Sequence, residues 1–256
     1  MQYENITFKT ENNVSRITIN RPPLNILDRA TMSEINSVLK DIRNQGVVKA
    51  VVFTGAGNKA FSAGVKVEDH LPEHVKEMIQ IFHGMFREMI KLDQPTIAVV
   101  NGHCLGGGAE LALFCDMVIA SEKSKIGQPD ITLGNYAPLA LAAYPFFIWR
   151  KKVYEFLFTG ESLTAKEAER IGLVNMVVPE ENLKDAEESL LQKLTKLSSV
   201  AIRASKKAMA ATFNKQFEEA LSAIENIYLN ELAASEDGVE GLVAFLEKRP
   251  PVWKER

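Results

Sequence analysis

Cysteine is nearly absent: Cys104 and Cys115 are the only two in 256 residues. That excludes a disulfide scaffold and fits a reducing compartment, so a cytoplasmic location is expected. Histidine is scarce as well, with His70, His74, His83 and His103 the whole set. None stands at ligand spacing with the cysteines. His70 and His74 are four apart, but Pro72 intervenes and no third ligand is in view. No metal site is therefore expected, and these two side chains are expected to be solvated. No apolar run approaches the roughly 20 residues that span a bilayer. The opening Met1-Gln-Tyr-Glu-Asn5 is too polar for a signal peptide. A formal net charge of −3 gives no electrostatic footing for nucleic acid or an anionic membrane.

What is present is apolar residue: 46% of the chain, enough for one large core or a core with a small appended domain. Short β-rich runs at 6–10 and 14–19, joined by Glu11-Asn12-Asn13, predict a hairpin. Helical spacing of Met32, Ile35, Val38, Leu39 and Ile42 predicts a helix over 29–44. A strand over 47–54, an amphipathic helix over about 72–92, and strands over 96–100 and 117–120 follow. Alternation of this kind predicts an α/β fold with parallel strands. Thr164 and Glu167 have the form of a helix cap, and 173–178 reads as a last strand. Beyond it the chain reads as helix only, near 182–196, 198–211, 215–234 and 238–247. The expected division is a core over 1–195 and a helical oligomerisation region over 196–256. No repeat or low-complexity linker is visible.

The organising stretch is Ile97-Ala-Val-Val-Asn-Gly-His-Cys-Leu-Gly-Gly-Gly-Ala-Glu-Leu-Ala-Leu113. A strand stops at Asn101-Gly102, and three glycines open an apolar helix containing Glu110. Glycines there let backbone approach a ligand, and the first-turn N–H groups are free to donate to an anionic oxygen. A glycine-eased packing contact between helix and sheet would leave the same trace. The Lys-Ser/Thr ending of a phosphate-binding loop is missing, which speaks against nucleotide.

Several segments together resemble the enoyl-CoA hydratase/isomerase family, the crotonase superfamily. Ala60-Phe-Ser-Ala-Gly64 is similar to its first oxyanion-loop motif, and Asn101 to Glu110 to its second. Gly127-Gln-Pro-Asp130 stands where family hydratases carry Gly-Gln-Pro-Glu. Thr159-Gly160, Ala165 with Ala168, and Gly172-Leu-Val174 fit the following helix-turn-strand. Glu240 to Arg249 resembles the C-terminal signature. The resemblance spans about residues 5–253. It implies a spiral of ββα units with a C-terminal helical trimerisation region, assembled as a homotrimer or homohexamer. It implies an acyl-CoA substrate, with coenzyme A as part of that substrate and no separate cofactor.

Adding a nucleophile to a conjugated acyl-CoA puts negative charge on the thioester oxygen. Two preorganised backbone donors address the largest part of that barrier. By motif alignment these are the N–H groups of Val65 and Gly107. Glu110 and Asp130 are the candidate acid and base, since hydration needs one group to deprotonate water and another to supply a proton. Asp130 is one methylene shorter than its family counterpart, about 1.5 Å, which bears on proton transfer. The resemblance further assigns Asn25, Ile26, Leu27 and Ala63 to the lining of the CoA site, and Ala60 and Ser62 to the border of the adenine pocket. Lys66 stands where many relatives carry Asp and is a candidate for a CoA phosphate. Tyr136 is a polar candidate near the site; His103 is given no role. Phe245 and Lys248 are expected to reach a neighbouring subunit's CoA.

The expected activity is hydration of an α,β-unsaturated acyl-CoA. A double-bond isomerase is the nearest rival, but one carboxylate suffices for it. A hydrolase or decarboxylase on the same scaffold stays open because of Asp130. A non-catalytic RNA-binding relative is the alternative of another class, and the acidic balance argues against it. After Leu133-Gly134 the glycine-rich turn of linear-chain hydratases is replaced by Asn135-Tyr-Ala-Pro-Leu-Ala-Leu-Ala-Ala-Tyr-Pro145. This segment and Arg21 to Leu27 resemble the branch of the family that hydrates cyclohexa-1,5-diene-1-carbonyl-CoA in anaerobic aromatic degradation.

Overall fold

The computed structural model describes residues 3–43, 45 and 48–254. Strands β1 (Ile6–Glu11) and β2 (Val14–Ile19) form the predicted antiparallel hairpin. Asn12 and Asn13, at φ 51° and 63°, make its two-residue turn, where both central residues need positive φ. Helix α1 (Arg29–Arg43) buries the face read from the sequence, Met32 to Ile42.

Three units of one pattern follow. The first is β3 (Ala50–Gly55), β4 (Ala60–Ser62), a 3-10 turn at Val67–His70, and α2 (Val75–Met89). The second is β5 (Thr96–Val100), β6 (His103–Leu105) and α3 (Gly107–Leu113). The third is β7 (Met117–Ser121), β8 (Lys125–Gly127), a 3-10 turn at Pro129–Leu133, and α4 (Pro138–Ala143). Each unit gives its first strand to one sheet and its second to another. Elements α5 (Arg150–Thr159), β9 (Leu163–Thr164), α6 (Ala165–Arg170), β10 (Met176–Val178) and α7 (Leu183–Thr195) complete the two sheets and their cover. The larger sheet runs β1-β2-β3-β5-β7-β10, parallel from β2 onward. The smaller runs β4-β6-β8-β9, antiparallel only at β8–β9. This one-strand step per ββα unit is the expected spiral.

The predicted strand over 173–178 shortens to β10, because the Leu173 and Val174 amides are held by the Ala168 carbonyl that closes α6. The predicted strand over 47–54 begins at Ala50; Val47 lies outside the described residues. The helices predicted over 198–211 and 215–234 are one helix, α8 (Ser199–Ile227), running into a π-helical turn at Tyr228–Leu232. Phe213 and Phe217 stack through the expected break, and Asn214 donates to the Ile90 carbonyl instead of ending the helix. Helix α9 (Glu236–Leu246) closes the chain. Helix α8 docks on the core through buried Phe217 and Leu221, and through Arg87, which pairs with Glu218 and Glu225. No helix among the described residues is long and apolar enough to cross a membrane.

Candidate active site

Two loops end side by side. Gly64, at φ 104°, turns the chain after β4 so that Val65 forms a parallel bridge to Leu27. That bridge uses the Gly64 carbonyl and the Lys66 N–H, so it passes over the Val65 N–H and leaves it unspent. Gly106, at φ 50°, does the same service ahead of Gly107, whose N–H begins α3 before the intrahelical ladder starts. The loops are in close contact: a side chain on Gly107 would meet Val65 Cγ2 at 2.7 Å, and one on Gly64 would meet the Leu105 carbonyl at 2.9 Å. Gly108 is packed as tightly, 2.5 Å from the Ser62 carbonyl to where its Cβ would stand. Two adjacent N–H groups, each set by a positive-φ glycine, can serve as a pair of donors to one oxygen.

Glu110 lies one turn inside α3 and is 3% exposed. Its Oε1 accepts from the Ala140 N–H at 2.8 Å, a first-turn amide of α4 with no helical partner. The glycine-free segment after residue 134 therefore forms a wall against Glu110, with Leu139 and Ala140 wholly buried. Burial, with the charge of Asp130 second, pushes the Glu110 carboxyl up to about 8.

Asp130 sits in the 3-10 turn at Pro129–Leu133, its oxygens 3.6 and 3.8 Å from where a Gly106 side chain would begin. In the amide orientation that satisfies both ends, Gln128 donates to Asp130 Oδ2 at 3.2 Å and to the Gly106 carbonyl at 3.3 Å, while accepting from the Tyr144 hydroxyl at 2.8 Å. Burial raises the Asp130 carboxyl above the ordinary carboxylate range, and the charge of His70 pulls it back. His70 is not the solvated side chain expected. It is half-buried in the turn after the first donor loop, with Nδ1 donating to the Lys66 carbonyl at 3.2 Å. Burial lowers its pKa, and Asp130 opposes that. The Tyr228 and Tyr144 hydroxyls also feel both carboxyls, and burial holds both phenols protonated. His70, Tyr144 and Tyr228 carry no local motif; only the π-helical turn at Tyr228 is a type of irregularity common at functional sites.

The remaining expected residues are spread more widely. Asn25 is buried at φ 51°, its amide donating to the Ala56 and Ala60 carbonyls at 3.0 and 2.8 Å, so its side chain shapes the loop. Leu27, Ala60 and Ser62 are wholly buried, and Ser62 Oγ accepts from the Gly64 N–H at 3.1 Å. Ile26 and Ala63 are half-buried and Lys66 is exposed. Beside β4 a cleft of about 420 Å³ is lined by Leu24, Lys59, Asn101 and His103 among others. Tyr136 donates its hydroxyl to the Ile224 carbonyl at 3.1 Å and packs on Tyr228, so it braces α8. Phe245, 54% exposed, lies in the last turn of α9, and Lys248, also exposed, lies two residues past its end. Both cysteines are buried free thiols, and no metal-binding cluster of His, Cys, Asp or Glu occurs among the described residues.

The family model for enoyl-CoA hydratase/isomerase matches residues 9–256. The chain is 31% identical over 255 residues to a cyclohexa-1,5-dienecarbonyl-CoA hydratase of Thauera aromatica, covering 98% of this chain and 96% of that one. It is 34% identical over 259 residues to a short-chain-enoyl-CoA hydratase of Clostridium acetobutylicum, covering 97% of each. Among solved structures, an enoyl-CoA hydratase from Mycobacterium avium subsp. paratuberculosis superposes with a TM-score of 0.90 at 27% identity, covering 99% of this chain and all of that one.

Proposed function

The chain belongs to the enoyl-CoA hydratase/isomerase family, and on that footing we propose that it hydrates a cyclic conjugated dienoyl-CoA. Its coarse chemistry is that of an enoyl-CoA hydro-lyase. The Val65 and Gly107 N–H groups receive the thioester oxygen as it gains charge. Glu110 takes a proton from water as the hydroxyl adds to the β carbon. Asp130 supplies the proton that ends on carbon.

The observation that carries the cyclic reading is the wall on Glu110. Where linear-chain relatives place a glycine-rich turn, this chain places α4, whose Ala140 amide grips the base directly. A fixed apolar wall there suits a flat ring. In a cyclic diene, attack at the β carbon gives a dienolate that is protonated at its far end. Asp130, one methylene short and set beside Gly106, accords with a proton source displaced from the α carbon. The likeness to the Thauera aromatica protein supports the same reading, although identity alone does not favour it over the short-chain hydratase.

The test is kcat/KM for cyclohexa-1,5-diene-1-carbonyl-CoA against crotonyl-CoA. A tenfold or greater preference for crotonyl-CoA, about 1.4 kcal/mol of transition-state discrimination, would leave a linear-chain hydratase as the reading. We further propose that the active unit is a trimer or a dimer of trimers, in which Phe245 and Lys248 reach the CoA of a neighbouring subunit.

A further inference from the structure

The peptide that carries the Gly107 N–H has a second end. In a trans peptide the Gly106 carbonyl lies in the same plane and points the opposite way, so whatever holds the carbonyl also aims the donor. That carbonyl accepts from the Glu110 N–H at 3.0 Å, the first bond of α3, which uses one of its two lone pairs. Strand pairing decides what takes the other. Leu105 of β6 pairs with Gly127 of β8, and the Gly106 N–H donates to the Gly127 carbonyl at 2.9 Å, so the next residue, Gln128, is delivered to Gly106. Its side chain, 1% exposed, then reaches three groups: the Gly106 carbonyl at 3.3 Å, Asp130 Oδ2 at 3.2 Å and the Tyr144 hydroxyl at 2.8 Å.

A buried amide so placed has two orientations, and they are not equal. With its nitrogen toward Gly106 and Asp130, its oxygen receives the phenol proton and every polar atom has a partner. Reversed, its oxygen opposes the Gly106 carbonyl, which only accepts, and the phenol proton loses its acceptor. Burial, and after it the charge of Glu110, keeps the phenol protonated. The Tyr144 ring is wholly buried and lies 6.3 Å from Phe156 at 21°, so packing fixes where the hydroxyl stands. Tyr144 also belongs to the glycine-free segment that walls Glu110. We propose that Tyr144 is a positioning residue for both halves of the reaction: its hydroxyl donates to the Gln128 oxygen and so turns the amide nitrogen to the Gly106 carbonyl and to Asp130 Oδ2. The first contact aims and polarises the Gly107 donor. The second keeps Oδ2 an acceptor, so a neutral Asp130 carries its proton on Oδ1, and the carboxylate left after transfer retains one donor. No bond to Tyr144 or Gln128 forms or breaks in the cycle. The role deepens the hydratase reading, and its Asp130 half rests on it.

Two experiments test the role. The first is a double-variant cycle on the preferred enoyl-CoA. Tyr144→Phe keeps the ring on Phe156 and removes only the hydroxyl. Its kcat should fall by about 10–10²-fold, the kinetic equivalent of one hydrogen bond to a charged group, while KM stays within a few fold. Gln128→Met should lose at least as much, and adding Tyr144→Phe to it should cost nothing further, since the hydroxyl then has no amide to turn. Losses that multiply in the double variant, or a Tyr144→Phe kcat within about twofold of wild type, overturn the role. The second experiment needs no turnover. Isotope-edited infrared follows the thioester carbonyl of bound benzoyl-CoA, a flat acyl-CoA inert to hydration. The stretch should lie below that of the free ligand in the wild type and rise toward it in Tyr144→Phe. An equal stretch in the two proteins overturns the effect on the donor peptide. A wild type that shows the Tyr144-dependent stretch but turns over no enoyl-CoA sinks the hydratase reading and leaves the donor half of the role standing.

Discussion

Glu110 is where stability and activity pull apart. A carboxyl this deeply buried costs least when neutral, and the catalytic step needs it ionised. Its folded pKa, about 8 against an ordinary 4.5, means that its contribution to stability is full below the unfolded value and is lost as pH rises through the folded one. The cost by pH 9 is on the order of 5 kcal/mol. Glu110→Gln keeps size and the Ala140 contact, so the variant should melt above the wild type at pH 9 and level with it at pH 4; an equal Tm at pH 9 would show the carboxyl to be less confined than the structure has it. The same variant should lose about 10²–10⁴-fold in kcat while acyl-CoA affinity stays within a few fold, and a loss under tenfold would contradict the general-base role. Because Asp130 raises Glu110 electrostatically, the two titrate as a unit whose singly protonated form is active. The profile of kcat/KM should be a bell whose alkaline limb lies near 8; a rate flat from pH 7 to 10 would speak against the pair.

At the scale of elements, the site depends on how closely α3 lies on β4. A methyl on Gly108 would press on the Ser62 backbone, which cannot move without shifting β4 and with it Val65. Gly108→Ala should therefore cost about 10²–10³-fold in kcat, the range for losing one oxyanion donor, and lower Tm as well. Gly84, inside α2, is the contrast. Its Cβ would stand 3.5 Å from the Asn36 side chain, an ordinary contact, so Gly84→Ala should stabilise by about 0.5–1 kcal/mol and leave kcat alone. If both variants behave alike, close packing at Gly108 is not what sets the donors. The glycines, the Glu110 helix and the Thr164 cap, whose hydroxyl accepts from the Glu167 N–H at 3.1 Å, were legible because each is a local pattern with a local cause. The three-residue strands β6 and β8 were not, since so short a run has no period to read. Nor was the electrostatic influence of His70 on Asp130, or of both carboxyls on Tyr228. Those influences join segments far apart in the chain, which only the folded chain brings near one another.

At the scale of the molecule, the chain exposes more apolar surface than its interior chemistry explains. Trp149, Val200, Met209 and Leu197 are 83%, 76%, 82% and 58% exposed. A cleft of about 1110 Å³ beneath α8 is lined by Leu197, Met209, Phe146 and Phe213 among others. Val200 and Met209 lie on α8 and Leu197 just ahead of it, and apolar surface of this kind is what a subunit interface covers. The placement of α9 points the same way. Its inner face packs on the turn that bears Asp130, with the Asn135 amide donating to the Gly238 carbonyl at 3.2 Å, while Phe245 and Lys248 are exposed. On the proposed assembly these two residues reach the CoA of another subunit. Light scattering at micromolar concentration should then report a trimer or hexamer, and a monomer would count directly against it. Lys248→Ala should raise KM more than it lowers kcat, because a contact remote from the reacting atoms is present in ground and transition state alike. A variant with unchanged KM would detach Lys248 from the ligand even in an assembled trimer, and the exposed end of α9 would then belong to the interface alone.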